Sequence, residues 1–228
     1  MKPLKYFILF SAFCLILVNA KGVERAENIF HINNQDDFNR YSNFEFPLGS
    51  SVLFAAGEVF KGQFIIRGSG TKKRPNIVTA YNQKTGVIYR DWIDNKPVIN
   101  GKGDVNSPIL LNNGQFWEIN NLEVTNTNGT KEDQGKLLGI NVVAENLGLV
   151  EDIQIRNCYV HNVNGEIGGK ETGGIHVYVK GDKLKTKFHG LIIEKNIIQD
   201  VGGVGIANQS SWGNINTPNY YPWTGFVI

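Results

Sequence analysis

Three segments of this 228-residue chain are versions of one another: WEINNLEVTNTNG from Trp117, IQIRNCYVHNVNG from Ile153 and LIIEKNIIQDVGG from Leu191. Trp117, Ile153 and Leu191 correspond, as do Ile119, Ile155 and Ile193, and Val124, Val160 and Ile198, at spacings of 36 and then 38 residues. Apolar residues alternate within each segment, the period of a strand with one buried face. Asn157 marks a sharp turn between two strands, because Asn tolerates a left-handed backbone and bonds locally. A Gly-Ile pair opens a later strand in each unit: Gly139-Ile140, Gly174-Ile175 and Gly205-Ile206. Each unit therefore reads as strand, Asn turn, strand, Gly turn, strand and variable loop, which is one coil of a parallel β-helix. A single coil cannot bury its own apolar side chains, whereas stacked coils place Ile119, Ile155 and Ile193 over one another. Each such residue contributes about 1.5–3 kcal/mol on burial. Asn126, Asn162 and Asp200 are expected to share one polar column. Cys158 shares a column with Leu122 and Asn196 and reads as a small buried filler.

Upstream, SVLFAAG, GQFIIRG, PNIVTAY and KPVING are short β-rich runs punctuated by Gly, Pro or Asn. Before them, Asp36 or Asp37 is expected to cap a short helix that places Phe38, Tyr41 and Phe44 on one side. This helix would cover the first open edge of the stack, since bare sheet edges invite aggregation. At the very start, Lys2 and Lys5 precede an unbroken apolar run from Tyr6 to Val18, followed by Val18-Asn19-Ala20. That is the pattern of a secretory signal peptide, and the run is short for a membrane span. The organisation is then a signal peptide over 1–20, an N-terminal cap region over 21–50 and a β-helix over 51–228. Cleavage removes Lys2 and Lys5 and brings the 23 basic residues level with the 21 acidic ones. A neutral chain without basic clusters argues against nucleic-acid binding. Cleavage also removes Cys14 and leaves Cys158 without a disulfide partner. The chain stops on GFVI, with Ile228 lying 35 residues after Ile193. The β-helix therefore reads as incomplete at its C-terminus, and the chain as a truncated piece of a longer protein.

The stretch LGSSVLFAAGEVFKGQFIIRGSGTKKRPNIVTAY, continued by KPVINGKG, FWEINNLEVTN, GGIHV and VGGVGIANQSSW, resembles secreted bacterial right-handed parallel β-helix proteins of the pectate-lyase-like superfamily. Within it the chain looks most like β-helix glycoside hydrolases of glycan-degrading Bacteroidetes. The resemblance implies an all-β, right-handed parallel β-helix that is exported to the periplasm or the extracellular space. It implies the N-terminal part of a carbohydrate-active protein, foremost a glycoside hydrolase acting on a complex polysaccharide. A polysaccharide lyase and a non-catalytic glycan-binding or surface protein stand as alternatives on the same scaffold. The partner would be a polysaccharide or oligosaccharide, and the full-length protein a monomer with no membrane span after cleavage.

Glycoside hydrolysis needs two carboxyl groups across the scissile bond, and no such pair is legible. Asp36-Asp37 reads as helix capping, and Glu151-Asp152 as the solvated start of a strand. The loop EIGGKETGG holds Glu166, Lys170 and Glu171, and is the richest mixture of charge and flexibility in the chain. His176 follows Gly174-Ile175 and is expected to point outward. His161 is also placed outward, and His189 in a coil-entry turn. Trp212, Tyr220, Tyr221 and Trp223 form an aromatic group suited either to stacking on sugar rings or to packing a loop. Glu171, His176 and Trp212 are accordingly the substrate-binding candidates, with the catalytic residues unassigned. No metal motif, phosphate loop or other cofactor signal is present; GVGIANQ from Gly203 follows a repeat strand and opens no helix. The chain as given is expected to be catalytically inactive.

Overall fold

The computed structural model describes residues 28–129, 135–169, 171–213 and 216–228. The segment read as a signal peptide, with Cys14, and Lys170 lie outside the described residues. The first strand, β1 (Asn28–Ile32), is followed by a short helix, α1 (Gln35–Tyr41), the one α-helix among the described residues. The next fifteen strands fall in threes. These are β2 (Ser50–Ala55), β3 (Val59–Lys61) and β4 (Phe64–Ile66); then β5 (Asn76–Tyr81), β6 (Val98–Asn100) and β7 (Ile109–Asn112). They continue as β8 (Trp117–Asn120), β9 (Glu123–Asn126) and β10 (Leu138–Glu145); β11 (Leu149–Arg156), β12 (Tyr159–Val163) and β13 (Gly173–Lys180); and β14 (Lys187–Glu194), β15 (Ile197–Val201) and β16 (Val204–Ser210). A short β17 (Trp223–Thr224) follows. Every third strand joins the same sheet, in the orders β1-β2-β5-β8-β11-β14-β17, β3-β6-β9-β12-β15 and β4-β7-β10-β13-β16. Pairing is parallel throughout these sheets. Each set of three is one coil, and the sheets run along the stack, as a β-helix-like solenoid requires. Among the described residues no helix is long and apolar enough to cross a membrane.

The repeat positions fall into register. Ile155 lies opposite both Ile119 and Ile193, and Ile153 opposite Trp117 and Leu191. Val160 pairs with Val124 and Ile198, and Ile175 with Ile140 and Ile206. The Ile119 column continues upward through Val78 and Val52 to Phe30. Side chains from all three sheets meet in one apolar core. An ideal Cβ on Gly174 would sit 2.7 Å from Gly205 O, so this strand start has room only for glycine. Asn121, Asn157 and Lys195 hold the same bend at φ 53, 51 and 55°. Lys195 lacks the bridging amide, and the next residue supplies it: Asn196 Nδ2 donates to Ile155 O and its Oδ1 accepts from Cys158 N, each at 2.9 Å. Cys158 is fully buried, and burial pushes its thiol up to about 12. It is inert core filler.

Several expectations need correction. The helix is capped by Asn34, whose Oδ1 accepts from Asp37 N at 3.0 Å; Asp37 Oδ2 in turn accepts from Asn33 N at 3.1 Å. Asp36 and Asp37 occupy the first turn, where their charge suits the helix dipole. The helix buries Phe38 against Phe54, Phe60 and Phe64, while Phe44 is 40% exposed. Asn126 does not share a level with Asn162. Asn162 bulges at φ 49°, so Asn126 pairs with Val163 instead. Fully buried, Asn126 donates from Nδ2 to Val105 O at 2.9 Å and to Leu138 O at 3.0 Å. It staples the second sheet to the third. Asp152 and His189 lie inside β11 and β14, not at a strand start or in a turn. Asp152 kinks its strand at φ 49°, as Phe116, Gly190 and Gly225 do at the same level of their coils, at 55, 76 and 60°. A Cβ on Gly190 would approach Asp152 Oδ1 to 2.5 Å.

Candidate functional site

On β10 and β13 the buried Ile140, Val142, Ile175 and Val177 alternate with Asn141, Val143, His176 and Tyr178. The strand period therefore sends the second set to the outer face of the third sheet. The parallel register puts Asn141 beside His176, Val143 beside Tyr178 and Tyr178 beside Gln209. Leu138 pairs with Gly173, which brings the preceding Lys136 and Glu171 to one level in adjacent coils. Their side chains close an ion pair, Nζ to Oε2, at 2.5 Å. Together these groups border a cleft of about 220 Å3, with Asn106 on one side and Lys180 on the other.

The hydrogen bond and positive charge of Lys136 hold the Glu171 carboxyl below its ordinary range. Glu171 therefore stands ionised at neutral pH, an acceptor and not an acid. His176 faces outward as expected, yet neighbouring side chains cover it to 3% exposure. Burial lowers its pKa, which favours the neutral ring. Its Nδ1 lies 3.2 Å from Asn141 Oδ1 and its Nε2 3.3 Å from Gln209 Oε1. A neutral ring donates once and accepts once. One of the two amides must then turn its NH2 to the imidazole, so His176 orients the amides on either side of it. Lys180 stands 3.9 Å from Glu145, its register partner. The cleft thus presents an ammonium, a carboxylate, amides and the Tyr178 ring. Among the described residues it has one carboxylate, and that one is paired, whereas glycoside hydrolysis uses two.

Glu171 and His176 are brought together, and Trp212 is not. Trp212 is 6% exposed, its Nε1 donates to Thr186 O at 2.9 Å, and it meets Tyr220 edge-on at 5.3 Å. Lys185 and Lys187 lie 5.3 and 5.9 Å from its ring. It packs the segment after β16 onto the coil. Tyr221 is the open ring of that aromatic group, 64% exposed. His161 lies outward on β12 and contacts Glu123 at 3.0 Å. Lys136, Asn141 and Tyr178 went unnoticed in the sequence. The Gly-Ile alignment carried the signal for two of them, since extending it by one residue pairs Asn141 with His176, and by three Val143 with Tyr178. Among the described residues no three His, Cys, Asp or Glu side chains converge to hold a metal ion.

No family model matches the chain. It is 25% identical to a lacto-N-biosidase of Bifidobacterium longum subsp. longum, over 70% of this chain and 13% of that protein. The chain therefore spans about an eighth of the length of this curated relative. Its backbone is similar to that of the GH136 lacto-N-biosidase from Eubacterium ramulus, in the selenomethionine derivative, with a TM-score of 0.70 and 18% identity. That match covers 88% of this chain and 40% of the other. The native form of the same enzyme gives a TM-score of 0.68 at 19% identity, over 87% and 40%. Likeness at these identities is likeness of fold, and the fold shared is the stack of parallel coils.

Proposed function

We propose that these coils belong to an exported, right-handed β-helix protein that acts on carbohydrate as a glycoside hydrolase. In this reading the Lys136–Glu171 cleft binds part of an oligosaccharide, and cleavage takes place at carboxylates outside it. The observation that carries the reading is the meeting of Lys136, Glu171, Asn141, His176 and Tyr178 on one sheet face. Sugar hydroxyls donate and accept, and such a mixture answers both demands while a ring covers the apolar face. The likeness to two lacto-N-biosidases supports the same class. Free cations at Lys136 and Lys180 would favour a uronate ligand and a lyase. Each instead stands beside a carboxylate, Glu171 and Glu145, which weakens the pull on an anion.

The test is binding of the chain to a panel of neutral and uronate-containing oligosaccharides, beside Glu171→Gln and Lys136→Met. Capture of a neutral oligosaccharide, weakened about tenfold in both variants, is expected from losing one charged hydrogen bond. Binding to no glycan, or binding that neither variant changes, removes the cleft from the reading. Product analysis with the longer protein then separates the chemistries: new reducing ends mark a hydrolase and unsaturated uronates a lyase.

A further inference from the structure

Between β5 and β6 the chain leaves the coil for residues 82–97 and returns. Asparagines at and just before the first bend of the next two coils hold this excursion in place. Asn120 Nδ2 and Asn157 Nδ2 both donate to Arg90 O, at 2.9 and 3.2 Å. Asn121 donates to Asp91 O at 2.7 Å and accepts from Ile93 N at 3.2 Å. The loop so anchored carries Trp92, Asp94 and Lys96 over the outer face of the second sheet. There they meet Glu123 of β9, Tyr159 of β12 and Gln199 of β15 around a cleft of about 330 Å3. That volume lies at the lower end of small-ligand sites, which run from roughly 300 to 1,000 Å3.

Lys96 is the unusual member. It is 3% exposed, and its ammonium lies 3.3 Å from the centroid of the Trp92 ring. Among the described residues its one hydrogen-bond acceptor is Ile93 O, and no carboxylate reaches it within ion-pair distance. Burial lowers its pKa, and the charges of Asp94 and Glu123 work the other way. An ammonium has three donors. One goes to Ile93 O and the Trp92 ring faces the ammonium, which leaves a donor without a hydrogen-bond acceptor among the described residues at the wall of a cleft. The acceptors around the cleft are half-used in the same way. Asp94 accepts from Trp92 Nε1 through Oδ1 at 3.0 Å, and Glu123 contacts His161 Nε2 through Oε1 at 3.0 Å. In each carboxylate the second oxygen takes part in no hydrogen bond among the described residues. His161 is itself set by Asn162, 3.0 Å from its Nδ1, and stacks on Tyr159 with centroids 4.2 Å apart and planes 18° apart. The Asn162 amide donating to Nδ1 leaves the proton on Nε2, which then donates to Glu123. Tyr159 and Glu123 are thus held in place by their neighbour on the same sheet face.

We propose that this cleft is a second saccharide site, distinct from the Lys136–Glu171 cleft, and that it takes a neutral pyranose with Lys96 as its central donor. The proposal shares the carbohydrate reading above but rests on other side chains. Flat rings at Trp92 and Tyr159 suit the C–H faces of a sugar, and hydroxyls can bridge the ammonium to the free carboxylate oxygens. Two carboxylates against one ammonium disfavour uronates and phosphates.

The experiment titrates the chain with cellobiose, lactose, N,N′-diacetylchitobiose and a digalacturonate, read by ligand-observed NMR and tryptophan fluorescence. Lys96→Met keeps the stem volume and removes the donor, and Trp92→Phe removes the local fluorophore. At least one neutral disaccharide is expected to bind, about tenfold more weakly to Lys96→Met. Trp92→Phe should abolish the fluorescence change, and Glu171→Gln, which weakens the other cleft, should leave the fluorescence titration at Trp92 unchanged. Lys96→Met is expected to melt no lower than wild type, because an unpaired buried charge has been replaced by an apolar group. Neutral sugar binding that Lys96→Met leaves unchanged overturns the proposal, as does a preference for the digalacturonate. Binding abolished by Glu171→Gln alone assigns the sugar to the other cleft and overturns it too. Silence of both clefts toward every probe overturns this proposal together with the carbohydrate reading itself.

Discussion

The two clefts lie on different sheets of one coil stack and are made in opposite ways. The Lys136–Glu171 cleft is built from ladder residues: equivalent positions of neighbouring coils, aligned by the parallel register, with a surface ion pair at the rim. The Trp92 cleft is built by an insertion that Asn120, Asn121 and Asn157 bind down over a sheet, leaving Lys96 buried without a counter-ion among the described residues. The contrast teaches where a solenoid can place chemistry. Ladder positions come at spacings set by the coil and face outward, covered only by their neighbours' side chains. An inserted loop can carry a charge into a covered place, but only where the coil beneath offers hydrogen bonds to hold its backbone.

The change with the largest expected effect abolishes the comparison altogether. Ile155→Asp places a carboxylate in the fully buried column between Ile119 and Ile193, at a cost of several kcal/mol. Both clefts should vanish with the cooperative melt followed by circular dichroism. A soluble variant with wild-type melting would show that the position is not interior.

A smaller change should separate the two sites. Asn121→Gly keeps the left-handed bend at φ 53° but removes the side-chain bonds to Asp91 O and Ile93 N. The expected loss is about 1–3 kcal/mol. Hydrogen exchange should speed up at residues 90–93 and stay unchanged around Lys136 and Glu171. Equal acceleration at both clefts would mean that the loop is not separately anchored.

Acid should affect the first cleft through His176. Its pKa is lowered by folding, so between that value and the ordinary 6.5 the unfolded chain binds more protons. The contribution to stability is complete above the unfolded pKa and is lost as pH falls through the folded one. Melting temperature should therefore drop on going from pH 7 to pH 5, and His176→Gln should flatten that drop. An identical pH slope in the variant would place the titration elsewhere.

The smallest effect belongs to the rim. Lys136 and Glu171 have side chains 59% and 39% exposed, and an exposed pair adds little to folding. Lys136→Met should leave the melting curve where it is while weakening oligosaccharide capture. A clear loss of stability would show the pair to be structural, against the contrast drawn with Lys96.

The residues explain how much of this could be foreseen. The columns through Ile119, Val124 and Ile140 were legible because the last coils have nearly equal lengths, and equal lengths make equal spacings. The same Ile119 column runs on to Val78 and Val52, but at spacings of 41 and 26 residues, and no period joins them by eye. Glu171 and His176 stood out as charged and titratable residues in a Gly-rich stretch. Their partners Lys136 and Asn141 are ordinary residues whose meaning comes from the next coil.

What the sequence determined by itself is the coil: alternation makes the strands, Asn and Gly make the bends, and neither depends on distant residues. The tertiary structure decided everything that rests on a neighbour. It slipped Asn126 one place to Val163, because a bulge at Asn162 adds a residue to one strand and none to the other. It buried Trp212 against Thr186, since an aromatic group in a loop takes its role from the surface it lands on. It laid Trp92, Asp94 and Lys96 on the second sheet through bonds from Asn120, Asn121 and Asn157. Local geometry is written in adjacent residues, whereas a site needs side chains from separate coils, and only the packed stack brings those within hydrogen-bonding distance.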